Sequence, residues 1–368
     1  MNQYILSVCI PTYNRSKLVN ACVEKLLECT DPRLEIVVSD DVSPDNTVEL
    51  LKSFKDDRLH IYRNDINCGA SYNSHLTFMR AKGKYMLLIS DEDDLIISEV
   101  ERLIEFLDKN DDISVYLASG YRGAGDVKQF EDAEFSSGFD ALMALGFNTR
   151  YMTGVILNSA LYHKYIGEVS YEEAPNVFNV YSFMYAMSIL FFYGKTIVSS
   201  KMLYNQTRYA ETTTNNNLKN CPKTFYFEPD GRAGQIHCWA RAVKNMILSR
   251  NEVLMVMIKI LFDTMKVALR IFDPHHLNNY KKMLPNDYKV FLTHIADATI
   301  DGVKTMMINA CKEACEENGF CLTSEFFELI DGEPICSYYK KRLAEIEHII
   351  SKLDENQIKA FIKEDDNQ

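Results

Sequence analysis

Positive charge is scarce in this sequence. Its 368 residues hold 40 Lys and Arg against 52 Asp and Glu, a formal net charge of −12. Such a chain repels phosphate backbones as a whole, so a nucleic-acid role would need a strong local basic patch. Other shortages narrow the class further. Fifteen glycines are too few for a collagen, and 47% hydrophobic residues are too many for a disordered tail, while 25% charged residues do not suit a polytopic membrane protein. Met1-Asn2-Gln3-Tyr4 lacks the basic start and apolar run of a signal peptide, so the chain is expected to stay in the cytoplasm. None of the ten cysteines forms a Cys-x-x-Cys pair, and Cys311 and Cys315 read as small hydrophobes on one helix face rather than as a zinc site. Internal repeats and low-complexity tracts are also missing. What remains is an ordinary folded chain with the length of two or three domains.

The first 120 residues alternate strand and helix. Tyr4 to Ile10, Leu34 to Val38, Leu59 to Tyr62 and Tyr85 to Ile89 are short apolar runs. Helical spacing lies between them. Ser16 is placed to cap a helix with Val19, Cys22, Val23 and Leu26 on one face, and Ser43-Pro44 to open a second. Ser98 and Glu101 have capping-box spacing ahead of a third helix that carries Val100, Leu103, Ile104 and Leu107. This alternation predicts an α/β fold with a mainly parallel central sheet covered on both faces. The pattern loosens after Gly120. A loop over 120–125, a short helix over 139–145, a strand over 152–158, an apolar helix over 180–192 and a strand over 196–199 are expected. Thr212 to Asn217 is polar and aperiodic, as at a domain boundary.

Open parallel sheets bind ligands at the carboxyl ends of their strands. Two acidic clusters fall at such ends: Asp40-Asp41 after the second run, and Asp91-Glu92-Asp93-Asp94 after the fourth. Carboxylates crowded at one edge repel one another unless a cation or polar groups offset their charge, and hard oxygen ligands suit magnesium or manganese. A metal so held could bridge a diphosphate and stabilise it as a leaving group.

Ser-Val-Cys-Ile-Pro-Thr-Tyr-Asn-Arg (7–15), Ile-Val-Val-Ser-Asp-Asp-Val-Ser-Pro-Asp-Asn-Thr (36–47), Asn-Cys-Gly (67–69) and Gly-Lys-Tyr-Met-Leu-Leu-Ile-Ser-Asp-Glu-Asp-Asp-Leu (83–95), in that order, resemble the signatures of family 2 glycosyltransferases with the Rossmann-like GT-A fold. The resemblance implies an inverting transferase that uses a nucleotide-diphosphate sugar, here UDP-linked, with a divalent metal (Mn or Mg). It implies that Pro11, Thr12, Tyr13, Asn14 and Arg15 line the nucleoside pocket and that Asp40 meets the base with Asp41 beside it. Asn67, Gly69 and Asn73 would complete the donor site, Asp91 and Asp93 would be the metal-associated Asp-x-Asp pair, and Arg208 would neutralise pyrophosphate.

The sequence departs from the family pattern in two places. Ser74 and His75 stand where many members carry an Arg-Asn pair; Asn73 and the serine before the acidic cluster are closer to the abequosyltransferase-like branch of capsule and O-antigen enzymes. Inverting transfer also needs a carboxylate to take the acceptor proton. The family's Glu-Asp pair, counted back from Gly194, falls on Ser182 and Phe183, which leaves Glu172, Glu173 and Asp94 as the base candidates. Two rival readings follow. A sugar-nucleotide nucleotidyltransferase would share the sheet and carboxylates, but it needs a glycine-rich basic loop after the first strand, and Pro11 to Ser16 has no glycine and one arginine. A degenerate nucleotide-sugar-binding scaffold would need no base.

The boundaries drawn are a glycosyltransferase domain over 1–225, with a donor half to about 120 and an acceptor half beyond it, then an α-helical C-terminal domain over 226–368. Residues 232–273 hold seven basic and three acidic residues, a local +4. Lys259, Asp263, Lys266 and Arg270 make one polar stripe there. That stripe excludes a spanning helix. It suits burial against other helices, a homo-oligomer interface, or peripheral contact with the anionic inner face of the plasma membrane, where a saccharide or lipid-linked acceptor waits.

Overall fold

The computed structural model describes residues 4–122, 126–128, 130–147, 151–178, 181–206, 228–283, 288–320 and 335–366. The chain divides into two compact units, Met1–Thr212 and Thr213–Gln368.

The first unit is built on a sheet. β1 (Leu6–Thr12), β2 (Leu34–Asp40), β3 (Leu59–Arg63) and β4 (Tyr85–Leu88) pair in parallel in the order β3-β2-β1-β4. Burial on both faces explains why β1, β2 and β4 read as unbroken apolar runs rather than alternating ones. α1 (Ser16–Leu26), α2 (Thr47–Leu51) and α3 (Gly69–Arg80) connect these strands. After β4 come β5 (Asp94–Leu95), α4 (Ile97–Asp108) and the long β6 (Ile113–Arg122). Val19, Cys22, Val23 and Leu26 of α1 and Val100, Leu103, Ile104 and Leu107 of α4 lie in one core with Leu6, Val8 and Ile10. Truncating any large member of such a core costs about 2–5 kcal/mol.

Beyond β6 the first unit departs from simple alternation. β6 runs through the expected loop at 120–122 and pairs with β7 (Asp126–Lys128), while β8 (Ala133–Phe135) precedes α5 (Phe139–Leu145). β9 (Val155–Asn158) then enters antiparallel between β4 and β6. α6 (Ser159–Tyr165), α7 (Ala174–Val177) and α8 (Ser182–Tyr193) follow, and β10 (Lys195–Gln206) returns parallel to β6 and pairs antiparallel with β5 and β8. α8 is apolar on every side and buried from Ser182 to Phe191, as such a helix must be.

The helix starts differ from three expected caps. Ser16 and Ser43 do not cap helices. Asp45 serves both ends instead, accepting the Ser16 N–H at 3.0 Å and the Thr47 N–H at 3.2 Å, and α2 starts at Thr47 rather than at Ser43-Pro44. A carboxylate shared by two helix starts satisfies orphan donors that neither serine hydroxyl takes. Ser98 sits inside the first turn of α4, whose N-cap is Ile96, so its spacing to Glu101 makes no capping box.

The second unit is helical: α9 (Pro229–Lys244), α10 (Arg250–Ala268) with a 3₁₀ extension over Leu269–Phe272, α11 (Pro274–Met283), α12 (Tyr288–Ile295), α13 (Ile300–Asn318), α14 (Ile335–Ile350) and α15 (Asn356–Asp366). A true capping box, Ser249 with Glu252, opens α10. The expected polar stripe on α10 is partly internal. Lys259 is buried and bonds Asp263 at 2.8 Å, and Arg342 of α14 pairs with the same carboxylate. Cys311 and Cys315 are buried on α13, as expected of small hydrophobes.

Candidate active site

The parallel register sets Thr12 at the end of β1 opposite Asp40 at the end of β2, next to the turn that leaves β4. Two non-glycine residues there adopt left-handed backbone, Asn14 (φ 55°) and Val42 (φ 63°). A β-branched residue in that region is strained, and such strain persists where the surroundings over-determine it. The Asn14 N–H donates to Ser43 Oγ at 2.8 Å and the Ser43 N–H to Asp40 Oδ2 at 3.1 Å, which ties the two turns together. Arg63 lies 3.4 Å from Asp40 Oδ2, whereas the buried Asp40 Oδ1 has no hydrogen-bond partner. A buried acceptor left open is costly unless something else fills it.

Asp41 has different partners. Its Oδ1 accepts from Asn64 Nδ2 at 2.8 Å and from the Cys68 N–H at 2.9 Å, and its Oδ2 accepts from the Gly69 N–H at 2.8 Å. The carboxylate therefore sits on the positive end of α3, where φ of 81° calls for glycine at position 69. Burial, then the hydrogen bond to Asp41, pushes the Cys68 thiol up, so it keeps its proton. Asn73 extends the network, accepting from Ser39 Oγ at 2.5 Å and Asn64 Nδ2 at 3.0 Å. His75, one turn along, is buried among Tyr72, Tyr162 and Phe178, with Nδ1 2.7 Å from Tyr162 Oη. Burial, then the charge of His163, lowers its pKa to about 4, so it is a neutral core residue.

The second acidic cluster is partnered on both sides. Asp91 Oδ2 accepts from Thr12 Oγ1 at 2.7 Å, and Oδ1 accepts from Arg15 Nη1 at 2.9 Å. Arg15 also reaches Glu92 Oε2 at 3.1 Å. Asp93 is fully buried. Its Oδ2 accepts from Tyr151 Oη at 2.7 Å and Thr153 Oγ1 at 2.6 Å. The cluster's field is felt across the core: burial first, then Asp91, Asp94 and Asp93, raise the Cys22 thiol on α1. No group of three or more His, Cys, Asp or Glu that could hold a metal occurs among the described residues. The donor set still fits a hard cation, because magnesium-type ions commonly take one or two carboxylates and complete their shell with substrate phosphates and water.

Thr12, Arg15 and Asp91 thus form one connected group, and Asn14 joins Asp40 through Ser43. Gly69 and Asn73 are joined to Asp41 directly and through Asn64. Pro11, Tyr13 and Asn67 are half-buried around these turns. Asp94 is exposed on β5. Glu172 and Glu173 are exposed on a segment that docks on α3 through Tyr72 Oη to the Val169 carbonyl at 2.9 Å. Ser182 and Phe183, at the family's usual base position, are both buried, and the Ser182 N–H donates to Ser71 Oγ at 3.0 Å. Arg208 and the polar run 212–217 lie outside the described residues. Asn64, Ser43, Tyr151 and Thr153 were missed in the sequence. Asn64 follows a strand end and was open to the strand-end rule; the two hydroxyls entering β9 carry no such signal.

Residues 7–164 match the sequence family described as glycosyl transferase family 2. Similar proteins include an uncharacterized glycosyltransferase of Rickettsia prowazekii, 30% identical over 32% of this chain and 36% of its own length. Another is the putative teichuronic acid biosynthesis glycosyltransferase TuaG of Bacillus subtilis, 28% identical over 28% of this chain and 42% of its own. A third is the Escherichia coli UDP-Glc:alpha-D-GlcNAc-diphosphoundecaprenol beta-1,3-glucosyltransferase WfgD, 28% identical over 30% of this chain and 44% of its own. The chain thus spans less than half the length of these relatives. Among solved structures, S. aureus TarS 1-349 in complex with UDP-GlcNAc superposes with a TM-score of 0.56 at 16% identity, covering 84% of this chain and 92% of that one. At that identity the likeness concerns the fold. The chain has the GT-A fold, and over residues 7–164 it is similar to family 2 glycosyltransferases.

Proposed function

We propose that the whole protein is an inverting glycosyltransferase that moves a sugar from a nucleotide-diphosphate donor, UDP-linked, to a saccharide or lipid-linked saccharide acceptor in cell-surface polysaccharide synthesis. The observation that carries this reading is the buried, unpartnered Asp40 Oδ1 beside the Thr12–Arg15 turn and the Asp91–Asp93 turn. An acceptor held there suits the N–H of a base, and the neighbouring carboxylates suit the diphosphate end with its cation. The name of WfgD, with a UDP-glucose donor and a diphosphoundecaprenol acceptor, supports the same donor and acceptor classes. So does UDP-GlcNAc bound to a protein of this fold.

In the proposed reaction the anomeric carbon–oxygen bond to the diphosphate breaks as the acceptor oxygen bonds from the opposite side, and the acceptor proton passes to a carboxylate. Asp91 and Asp93 would hold a manganese or magnesium ion, which supplies charge stabilisation of the departing diphosphate. Asp40 would bind and orient the base. Arg15, which bridges Asp91 and Glu92, would offer a guanidinium to phosphate oxygens. The base is one of Asp94, Glu172 and Glu173. Asp94 directly follows the metal pair, and the two glutamates flank the α3 face on which α8 begins. The division into domains at about residue 225, Arg208 as a pyrophosphate ligand, and kinship with the abequosyltransferase-like branch belong to this proposal as well.

A thermal-shift screen of nucleoside diphosphates with and without manganese tests the reading, because a bound ligand stabilises by mass action. UDP with manganese should raise the melting temperature, and Asp93→Ala should lose the manganese-dependent part. An equal shift in that variant, or no shift with any nucleotide, would count against it.

A further inference from the structure

The segment that enters β9 contributes nothing to the donor pocket by sequence pattern, yet it holds a fully buried carboxylate of the site. Asp93 is fully buried, and one of its oxygens, Oδ2, receives two hydroxyl hydrogens, from Tyr151 at 2.7 Å and Thr153 at 2.6 Å. Thr153 is itself fixed. Its Oγ1 accepts the Ser90 N–H at 2.9 Å, and a hydroxyl has a single proton, so that proton goes to Asp93. The Asp93 N–H closes the turn onto the Ser90 carbonyl at 3.0 Å, so backbone and side chain of the turn are locked to the same threonine.

Tyr151 is braced from the other side. Its ring tilts against Tyr204 of β10 with centroids 6.2 Å apart. The Tyr204 ring occupies space that only glycines leave open: a Cβ on Gly120 would lie 2.3 Å from it and one on Gly154 2.6 Å. Gly154, with φ of 91°, also turns the chain between Thr153 and β9. The entry to β9 thus supplies both hydroxyls on one carboxylate oxygen of the turn after β4, and β10 braces one of them through Tyr204.

We infer that Tyr151 and Thr153 are positioning residues for cation binding: their paired hydroxyls fix the plane of the Asp93 carboxylate and set the affinity with which it takes a divalent ion. This rests on the reading of Asp93 as a metal-holding residue. Two donors on one oxygen restrict the rotation that would let the carboxylate turn from the ion. Outer groups that orient a metal ligand in this way typically set about 10–100-fold in metal affinity.

The test is manganese binding by the full chain with saturating UDP, read from the electron paramagnetic resonance signal of the free ion, without any need for turnover. Wild type should bind manganese and Asp93→Ala should not. Tyr151→Phe keeps the ring against Tyr204 and removes the hydroxyl; Thr153→Val removes the other. Each should weaken manganese binding about tenfold or more, while UDP binding without metal is unchanged, and Thr153→Ser should restore wild-type affinity. Should Thr153→Val fail to fold, because the Ser90 N–H loses its acceptor, Tyr151→Phe still decides the matter. Wild-type affinity in Tyr151→Phe and Thr153→Val, with binding lost in Asp93→Ala, would overturn this inference and leave the metal reading standing. Undiminished binding in Asp93→Ala would overturn both.

Discussion

Two adjacent aspartates at the end of β2 have unlike partners. Asp40 keeps a buried oxygen unpartnered, whereas Asp41 is spent on Asn64, Cys68 and Gly69 at the start of α3. The sequence offers no way to tell them apart, since both are acidic and both follow an apolar run. Only the place of α3 relative to the strand end separates an open buried acceptor from a helix cap. Replacing Asp41 with alanine leaves three N–H groups without their charged acceptor, and should cost about 2–4 kcal/mol in urea denaturation. Asp40→Asn should leave stability nearly unchanged and weaken UDP binding. A stable Asp41→Ala protein that has lost only nucleotide affinity would show Asp41 to be a donor-site residue.

At the scale of elements, the strands and the apolar helix faces were legible because burial on two faces or on one stripe writes itself into hydropathy. Helix starts were not. Ser16, Ser43 and Ser98 each have cap chemistry, but Asp45 takes the first two helix ends and the phase of α4 excludes the third. The antiparallel β9 was also illegible as to partner, because a short apolar strand looks alike between any two neighbours. The contact of α3 with α6 makes a further prediction. His75 bonds Tyr162 across it and is held neutral, its pKa lowered to about 4 by burial and then by His163. An unfolded histidine near pKa 6.5 takes a proton that the folded one refuses, so folding stability should fall as pH drops from about 6.5 towards 4, by up to about 3 kcal/mol. Chemical denaturation at pH 7 and pH 5 should show the loss in the wild type and a smaller one in His75→Gln. An equal loss in both would place the titration elsewhere.

For the molecule as a whole, the net charge of −12 conceals an uneven distribution. Part of the acidity lies in the strand-end clusters, offset by Arg15 and by hydroxyl donors, and the +4 of residues 232–273 is partly internal, since Lys259 is paired inside the helical unit. No helix among the described residues is long and apolar enough to cross a membrane. Lys244 and Arg250 are exposed beside Ile247, itself 89% exposed, at the turn between α9 and α10. If this basic island meets an anionic surface, co-sedimentation with phosphatidylglycerol vesicles should drop in a Lys244→Glu, Arg250→Glu double variant. Unchanged co-sedimentation would remove this turn from the account. The central claim, that the Asp40 and Asp91–Asp93 turns jointly work on a nucleotide-diphosphate sugar, is tested most directly by release of nucleoside diphosphate from a panel of donor sugars. The account predicts manganese-dependent release from at least one UDP-sugar, abolished by Asp93→Ala. Equal release by that variant, or none from any donor by a protein that still binds UDP, would contradict it.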